Sequence, residues 1–357
     1  MVGLAVAIVE DGQIRFVKGY GVTAAGTEDP VTPATVFRWA SVSKGAAADM
    51  VATLAEEGKL SLYEPVSKYS ASLRLPAGNE HRATVADLLS HRLGLFSHAN
   101  DSKLEGGFDP KYLRGNLATL NAVCAPGSCW AYQNVAYDAA SEVVEKVTGV
   151  PYQQAVLDRL FRPLGMNSAS LTRDGLQHSA SWARPHVGGK HSKPVEVSDA
   201  YYHVPAAGGV NSSIKDMAIW LQAQMGLYPE VLSNKALADV RSPRVATPGE
   251  LGRMRKFRER LSTAAYGLGW RIYNYAGHTI VGHRGGVRGY RSLILYDPQL
   301  KSGVVALWNC STSQPGGLEF EVMDMLYGLP PKDWLELQAA PGPPTQEEDS
   351  SEETSPA

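Results

Sequence analysis

Ser41-Val42-Ser43-Lys44, followed by Gly45-Ala46-Ala47-Ala48-Asp49-Met50-Val51, is the stretch from which the rest of this chain is read. Positions three apart on a helix lie on one face, so the serine and the lysine share a surface. A serine hydroxyl is a poor nucleophile until a neighbouring base takes its proton. A lysine amine in a dry pocket can help do that, because desolvation lowers its pKa. The four residues alone are unspecific. Their weight comes from two later pieces, Tyr132-Gln133-Asn134 and His283-Arg284-Gly285.

Outward from the serine, Ala46, Ala47, Met50, Val51 and Leu54 recur at a spacing of three and four, and Gly58 follows. That spacing predicts a helix over 41–58. Upstream, 2–9 and 13–20 are β-rich runs joined at Asp11-Gly12, a hairpin signal. The first run has no basic segment before it and ends at Glu10-Asp11-Gly12, so it reads as a strand and not as a signal peptide. From there to about residue 260 helices and long loops are expected, with clear helices over 135–147 and 216–225. Strand patterns return over 267–273, 279–282, 290–296 and 303–308, and 317–327 reads as a closing helix.

Strands, then helices, then strands imply an α+β protein. Residues 1–40 and 260–337 are expected to share one antiparallel sheet with flanking helices, and 41–259 to form a mainly helical subdomain. Residues 338–357, Pro-rich and then acidic and Ser-rich, are expected to be a disordered acidic tail. The site should lie at the seam, where the first helix after the hairpin meets a late strand.

The 357 residues are 44% hydrophobic and 20% charged, the range of a soluble globular protein. The formal net charge of −2 gives no reason to expect nucleic acid. No apolar run approaches the ~20 residues of a membrane span. No spacing suggests a metal site, and no cofactor is implied. Cys124 and Cys129 flank Ala125-Pro126-Gly127-Ser128, and a disulfide or two free thiols both fit that loop. A disulfide, or a removed leader, would mean a periplasmic or secreted protein; without either, a cytoplasmic one is expected. Oligomeric state is not legible.

Tyr132 sits at a loop–helix junction, from which an aromatic can point into a cleft. Lysine cations nearby would lower its phenol pKa and make it a general base. Asn134 offers a donor and an acceptor, suited to a substrate amide or to fixing the lysine. His283-Arg284-Gly285-Gly286 ends a β run in glycines that allow close backbone approach. His91, after Leu88-Leu89-Ser90, reads as structural.

Three motifs in this order, S-x-x-K, Y-x-N and H-x-G, resemble those of the serine β-lactamase and penicillin-binding protein family. The nearest branch is the class C-like one, with class C β-lactamases, D,D-peptidases and family VIII carboxylesterases. Leu88 to Leu95, Phe161-Arg162-Pro163-Leu164-Gly165-Met166 and Ala207-Gly208-Gly209-Val210 also look like family segments. The resemblance runs from about residue 2 to 328 and implies a β-lactamase/transpeptidase-like fold.

The roles it implies are these. Ser41 is the acylated nucleophile. Lys44 and Tyr132 share the proton transfers, with the base left open between them. Asn134 contacts the substrate. His283 and Gly285 line the opposite wall, His283 supplying a hydrogen bond or partial positive charge. The backbone N–H groups of Gly286 and Ser41 hold the oxyanion. His283 stands where the family often has lysine, and a mostly neutral imidazole attracts a carboxylate less. Arg284 could restore that charge. Arg92-Leu93 is expected to tighten the pocket rim. The expected function is serine hydrolysis through an acyl-enzyme on Ser41, with small-molecule ester, peptide or β-lactam substrates and esters first. The alternatives are a D-Ala-D-Ala carboxypeptidase or penicillin-binding protein, a class C-type β-lactamase and, further off, a non-catalytic cell-wall ligand-binding protein.

Overall fold

The computed structural model describes residues 1–338, so the expected tail from 339 onward lies outside the described residues. Twelve strands form among the described residues. They are β1 (Gly3–Glu10), β2 (Gln13–Gly21), β3 (Val36–Arg38), β4 (His186–Val187), β5 (Lys193–Pro194), β6 (Asn211–Ser213), β7 (Val245–Ala246), β8 (Leu261–Tyr266), β9 (Arg271–Tyr275), β10 (His278–Val287), β11 (Tyr290–Asp297) and β12 (Ser302–Trp308). The main sheet is antiparallel in the order β2-β1-β12-β11-β10-β9-β8-β7. The β1–β2 hairpin turns at Asp11 and Gly12, both at positive φ. The first strand closes against the last, in the register Ala5↔Leu307 and Ala7↔Val305. That pairing closes one sheet over the first and last strands, with the segment between β2 and β7 inserted between its two parts.

The sheet is covered on both faces, which is why its central strands are apolar without alternation. Ala5, Ala7, Val9, Ile294, Tyr296, Val305 and Leu307 belong to the core shared with the helical lobe. Their neighbours Val6, Leu293, Leu295, Val304, Ala306 and Trp308 join Phe257, Phe320, Met323 and Trp334 on the other side. The second layer is supplied by the closing helix, Leu318–Leu326. The helix Ile214–Gln224 packs on β1 and β12 from the lobe side.

A short 3₁₀ turn, Ala40–Val42, leads into helix α1, Ser43–Glu56. Helix α1 is buried nearly all round, lying between the sheet, the turn Pro205–Gly208 and the helices Ala139–Thr148 and Asn234–Arg241. At Gly45 the indole of Trp270 lies so close that a Cβ would fall 2.4 Å from its ring.

Several elements depart from the sequence reading. The helix expected over 135–147 begins only at Ala139. Residues before it are committed to tertiary hydrogen bonds: Asn134 to Lys44, and the Tyr137 hydroxyl to the Lys44 carbonyl. The strand expected over 267–273 begins at Arg271, because Gly267 to Trp270 make the turn that joins it to β8, with Gly269 at φ +72°. Strand β8 itself was unexpected; a register shift between Leu261 and Thr263 breaks its alternation. The middle segment also gives β7 to the sheet edge, pairs β6 with β3 of the first segment, and forms the β4–β5 pair.

Gly45→Ala is expected to lower stability by about 1–3 kcal/mol, the usual cost of overpacking a filled core. Chemical denaturation of the variant beside the wild type measures it.

Candidate active site

Ser41 sits on the turn where the chain leaves β3 and enters α1. Ala40, just before it, is a buried non-glycine residue at φ +48°. Such a backbone costs ~1–3 kcal/mol and persists only where its surroundings hold it. Here the Trp39 amide donates to the Val210 carbonyl (2.8 Å), and the Ser292 hydroxyl of β11 donates to the Trp39 carbonyl (2.5 Å). Gly285 of β10 lies against the same turn. A Cβ there would fall 2.3 Å from the Trp39 carbonyl oxygen and 3.0 Å from the Ser41 amide nitrogen. Strand β9 pairs with β10 only over His278–Gly282, so the edge from His283 onward is free of β9.

Lys44, one turn along, is fully buried. Its Nζ lies 3.3 Å from Ser41 Oγ, 2.7 Å from Asn134 Oδ1 and 2.9 Å from the Ala207 carbonyl oxygen. Burial lowers its pKa to about 7, with the Arg271 cation acting in the same direction and the Asp101 and Asp138 carboxylates against it. Near neutral pH a neutral amine is therefore accessible. A neutral amine has two N–H groups and one lone pair. Two of its three partners, an amide oxygen and a backbone carbonyl, can only accept. Both N–H groups must go to them, and the lone pair then faces the Ser41 hydroxyl.

Tyr132 is buried with its ring centroid 4.8 Å from Lys44 Nζ. Its phenol behaves opposite to expectation. Burial pushes its pKa well up, and a hydrogen bond with Ser41 and the charge of Arg271 pull down without offsetting that. The resting phenol is protonated. The loop is held by His91, at φ +59°: Ala131 N–H donates to the His91 carbonyl (2.9 Å) and Gln133 N–H to His91 Nδ1 (3.1 Å).

Of the two roles left open for His283, a hydrogen bond or partial positive charge, the structure keeps the first. Burial, then Arg271 and Lys44, push its pKa well below the ordinary value, so it carries no positive charge. Both ring nitrogens are used. Nδ1 donates to the Arg284 carbonyl (2.7 Å), so Nε2 accepts from the Tyr266 hydroxyl (3.0 Å). The Tyr266 oxygen in turn accepts from His91 Nε2 (3.2 Å). Read from the Gln133 amide or from the Arg284 carbonyl, the chain demands the same tautomers. His91 and His283 are thus the two ends of one buried hydrogen-bond chain tying the Tyr132 loop to β10. Arg284 does not restore the missing charge: it lies on the other sheet face, ion-paired with Glu319. Arg92 does not shape the rim either. It pairs with Asp87 (2.9 Å) and donates to the Gly127 carbonyl (3.1 Å), while Leu93 is in the core. Cys124 and Cys129 form a disulfide in that same loop, and Cys310 is a buried free thiol.

The sequence reading missed Tyr266, Arg271, Asp101 and the Ala207 carbonyl as parts of this site. No motif marks the first three, and Ala207 opens a segment noted only for its family likeness. The structure brings Ser41, Lys44, Tyr132 and Asn134 together, with Gly285 against the Ser41 turn and His283 facing Tyr132 at 6.2 Å between ring centroids. Gly286 lines a cavity of about 570 Å³ together with Val287, Arg288, Arg291, Ser198, Tyr201 and Glu105. Among the described residues no metal-ligating cluster of His, Cys, Asp and Glu is present.

An antiparallel sheet flanked by helices, with a serine–lysine turn at the seam, defines the β-lactamase/transpeptidase fold class. A family model described as Beta-lactamase matches residues 1–323, and the chain belongs to the beta-lactamase family, a family of serine hydrolases. It is similar to unguisins hydrolase ungD' of Aspergillus campestris, 28% identical over 326 residues covering 87% of this chain and 59% of that protein. It is also similar to the D-alanyl-D-alanine-carboxypeptidase/endopeptidase AmpH of Escherichia coli, 28% identical over 242 residues covering 66% of this chain and 60% of that protein. The chain thus spans about 60% of the length of these curated relatives. The octameric penicillin-binding protein homologue of Pyrococcus abyssi matches with a TM-score of 0.82 and 28% identity, over 93% of this chain and 74% of that one. A D-stereospecific amidohydrolase from Streptomyces shares the fold, with a TM-score of 0.71 and 22% identity over 89% and 93% of the two chains.

Tyr266→Phe is expected to leave an imidazole nitrogen unpaired at each end of the chain and to cost roughly 1–3 kcal/mol for each buried group. Denaturation midpoints of the variant and the wild type measure it.

Proposed function

We propose that the protein is a serine hydrolase that acylates Ser41 and releases the acyl group to water. One observation carries this reading: the Lys44 amine is buried, has a lowered proton affinity, and has hydrogen-bond partners that leave its lone pair to Ser41. In the proposed cycle neutral Lys44 takes the Ser41 proton as the hydroxyl oxygen attacks an ester carbonyl. The protonated phenol of Tyr132 is placed to pass a proton to the leaving oxygen. The amides of Ser41 and Gly286 hold the carbonyl oxygen as it gains charge. Water then attacks the acyl-enzyme with the same groups in reverse. Asn134 is chiefly the holder of Lys44, since its oxygen is spent there.

Esters come first because His283 is neutral and Arg284 faces away, so neither supplies a fixed cation for a substrate carboxylate. One observation favours a second reading, cleavage of carboxylate-bearing peptides or lactams. Arg288, exposed, and Arg291 line the cavity beside Gly286, and either can attract an anionic group. The D-alanyl-peptide activity in the name of AmpH supports the same reading. The Cys124–Cys129 disulfide supports an oxidising compartment.

Intact-mass measurement after a fluorophosphonate, an activated ester or a penicillin tests acylation. An adduct in the wild type that is absent in Ser41→Ala is expected; no adduct with any of the three overturns the reading. Because the base must be unprotonated, kcat/KM for a neutral ester is expected to rise with pH through about 7, the value to which burial lowers Lys44. Arg288→Ala is expected to raise KM for a penicillin or a D-Ala-D-Ala peptide by roughly three- to tenfold, while a neutral ester is unaffected. Equal effects on both substrates remove Arg288 from recognition.

A further inference from the structure

Asp101 opens the short helix Asp101–Glu105 and lies far in sequence from every motif of the site. Its Oδ2 accepts from Asn134 Nδ2 (2.7 Å) and from His98 Nδ1 (2.8 Å). Its Oδ1 is buried without a protein partner. The segment that delivers it is strained: His98 and Asn100 are non-glycine residues at φ +60° and +65°. The His98 amide donates to the Tyr132 carbonyl (2.8 Å), so this segment is fastened to the loop that carries Tyr132 and Asn134.

A primary amide has two chemically different ends, and the neutral Lys44 amine, which has N–H groups and a lone pair, could pair with either of them. A carboxylate can only accept. Asp101 therefore takes the NH₂ end, and the oxygen is left facing the lysine. If the amide were reversed, its NH₂ would face the N–H groups of an ammonium or capture the lone pair of the neutral amine, and its oxygen would meet a carboxylate.

We propose that Asp101 is a positioning residue of the acylation site: through Asn134 it aims the Lys44 lone pair at Ser41, and its carboxylate, one group removed from the amine, favours the proton on Lys44. This rests on the serine-hydrolase reading above and deepens it. The second acceptor of Lys44 is held in a parallel way. Asp138, paired with Arg114 (2.8 Å), accepts from the Ala206 amide (3.0 Å), next to the Ala207 carbonyl. The groups facing Lys44 are thus Asp101 from the 101–105 helix, Asp138 from the loop before the next helix, and Arg271 from β9. Tyr132 and Tyr137 lie beside its amine, and His91 and His283 lie within its field. Asp101 is the first of these in raising the proton affinity of Lys44, and it does so against the larger effect of burial. His98, more than half exposed, bonds the same oxygen, and a proton on it would offset the Asp101 charge from the surface.

The sign follows. Without the carboxylate, Lys44 gives up its proton more readily, so the limb that Lys44 controls moves to lower pH. The orientation of Asn134 is loosened at the same time, so the plateau falls. The experiment compares wild type, Asp101→Asn and Asp101→Glu. It reads the pH profile of Ser41 labelling by a fluorophosphonate and of kcat/KM for a neutral activated ester, with a thermal melt of each variant. Asp101→Asn is expected to shift the acid limb down by about one pH unit and to lower the plateau about tenfold. Asp101→Glu, which restores the charge, is expected to return the limb to within roughly 0.3 unit of wild type. Asp101→Ser replaces Asp101→Asn if that variant fails to fold. A folded neutral variant whose limb stays at the wild-type pH overturns the proposal, whatever its plateau, since a merely structural role lowers activity without moving the profile. Wild-type protein that never labels Ser41 overturns the hydrolase reading instead. The Asp101 proposal is then read directly from the pH titration of the Lys44 side chain by NMR in wild type and Asp101→Asn.

Discussion

The buried amine of Lys44 is the constraint on which the rest of the site depends. An ammonium taken out of water loses its hydration and must find acceptors in the protein. Lys44 finds an amide oxygen, a backbone carbonyl and a hydroxyl, with no direct carboxylate contact. That set is good enough to keep the charged form in reach and poor enough to leave the neutral form in reach as well. A carboxylate in direct contact would have locked the proton on. An apolar pocket would have lost the hydrogen bonds that direct the lone pair. Asp101 and Asp138 each stand one group removed, and so temper the amine without capturing it.

The backbone around the serine serves the same end. Ala40 is held at positive φ by β11 through Ser292 and by the strand-to-turn contact at Trp39, and β10 can lie against it only because position 285 has no side chain. The lobe and the sheet meet here largely through backbone, which positions Ser41 with few side chains to rearrange. Across the cleft, the His91–Tyr266–His283 chain joins the Tyr132 loop to the sheet with every donor and acceptor used. Such a chain is rigid because any single rotation breaks two bonds. Two histidines that invite an acid–base reading are thereby neutral spacers.

Much of this architecture was legible beforehand. The Asp11-Gly12 hairpin, the three-and-four apolar spacing after Ser41 and the late apolar strands are local signals, and they place the sheet and its first helix within a few residues. The errors fall where long-range hydrogen bonds overrule local preference. Residues 135–138 have helical composition but are held as turns by Lys44, Arg114 and the Ala206 turn. The glycines at 267 and 269 look like strand interruptions and are the connection itself. Nothing local marks Leu261–Tyr266, whose alternation is broken by its own bulge.

The sequence by itself determined which groups are present and the one spacing that is purely local, a serine three residues ahead of a lysine where a turn enters a helix. It also determined the family, because three short motifs in order are properties of a string. Only the tertiary structure decided the state of those groups. Whether Lys44 holds its proton, whether the phenol of Tyr132 is acidic, and which way Asn134 turns depend on burial and on charges contributed by residues 101, 138 and 271. Those contributions are set by distance in space and not along the chain. The sequence expectation of an acidified tyrosine failed for that reason: it counted the cations nearby, and could not count the water that folding removes.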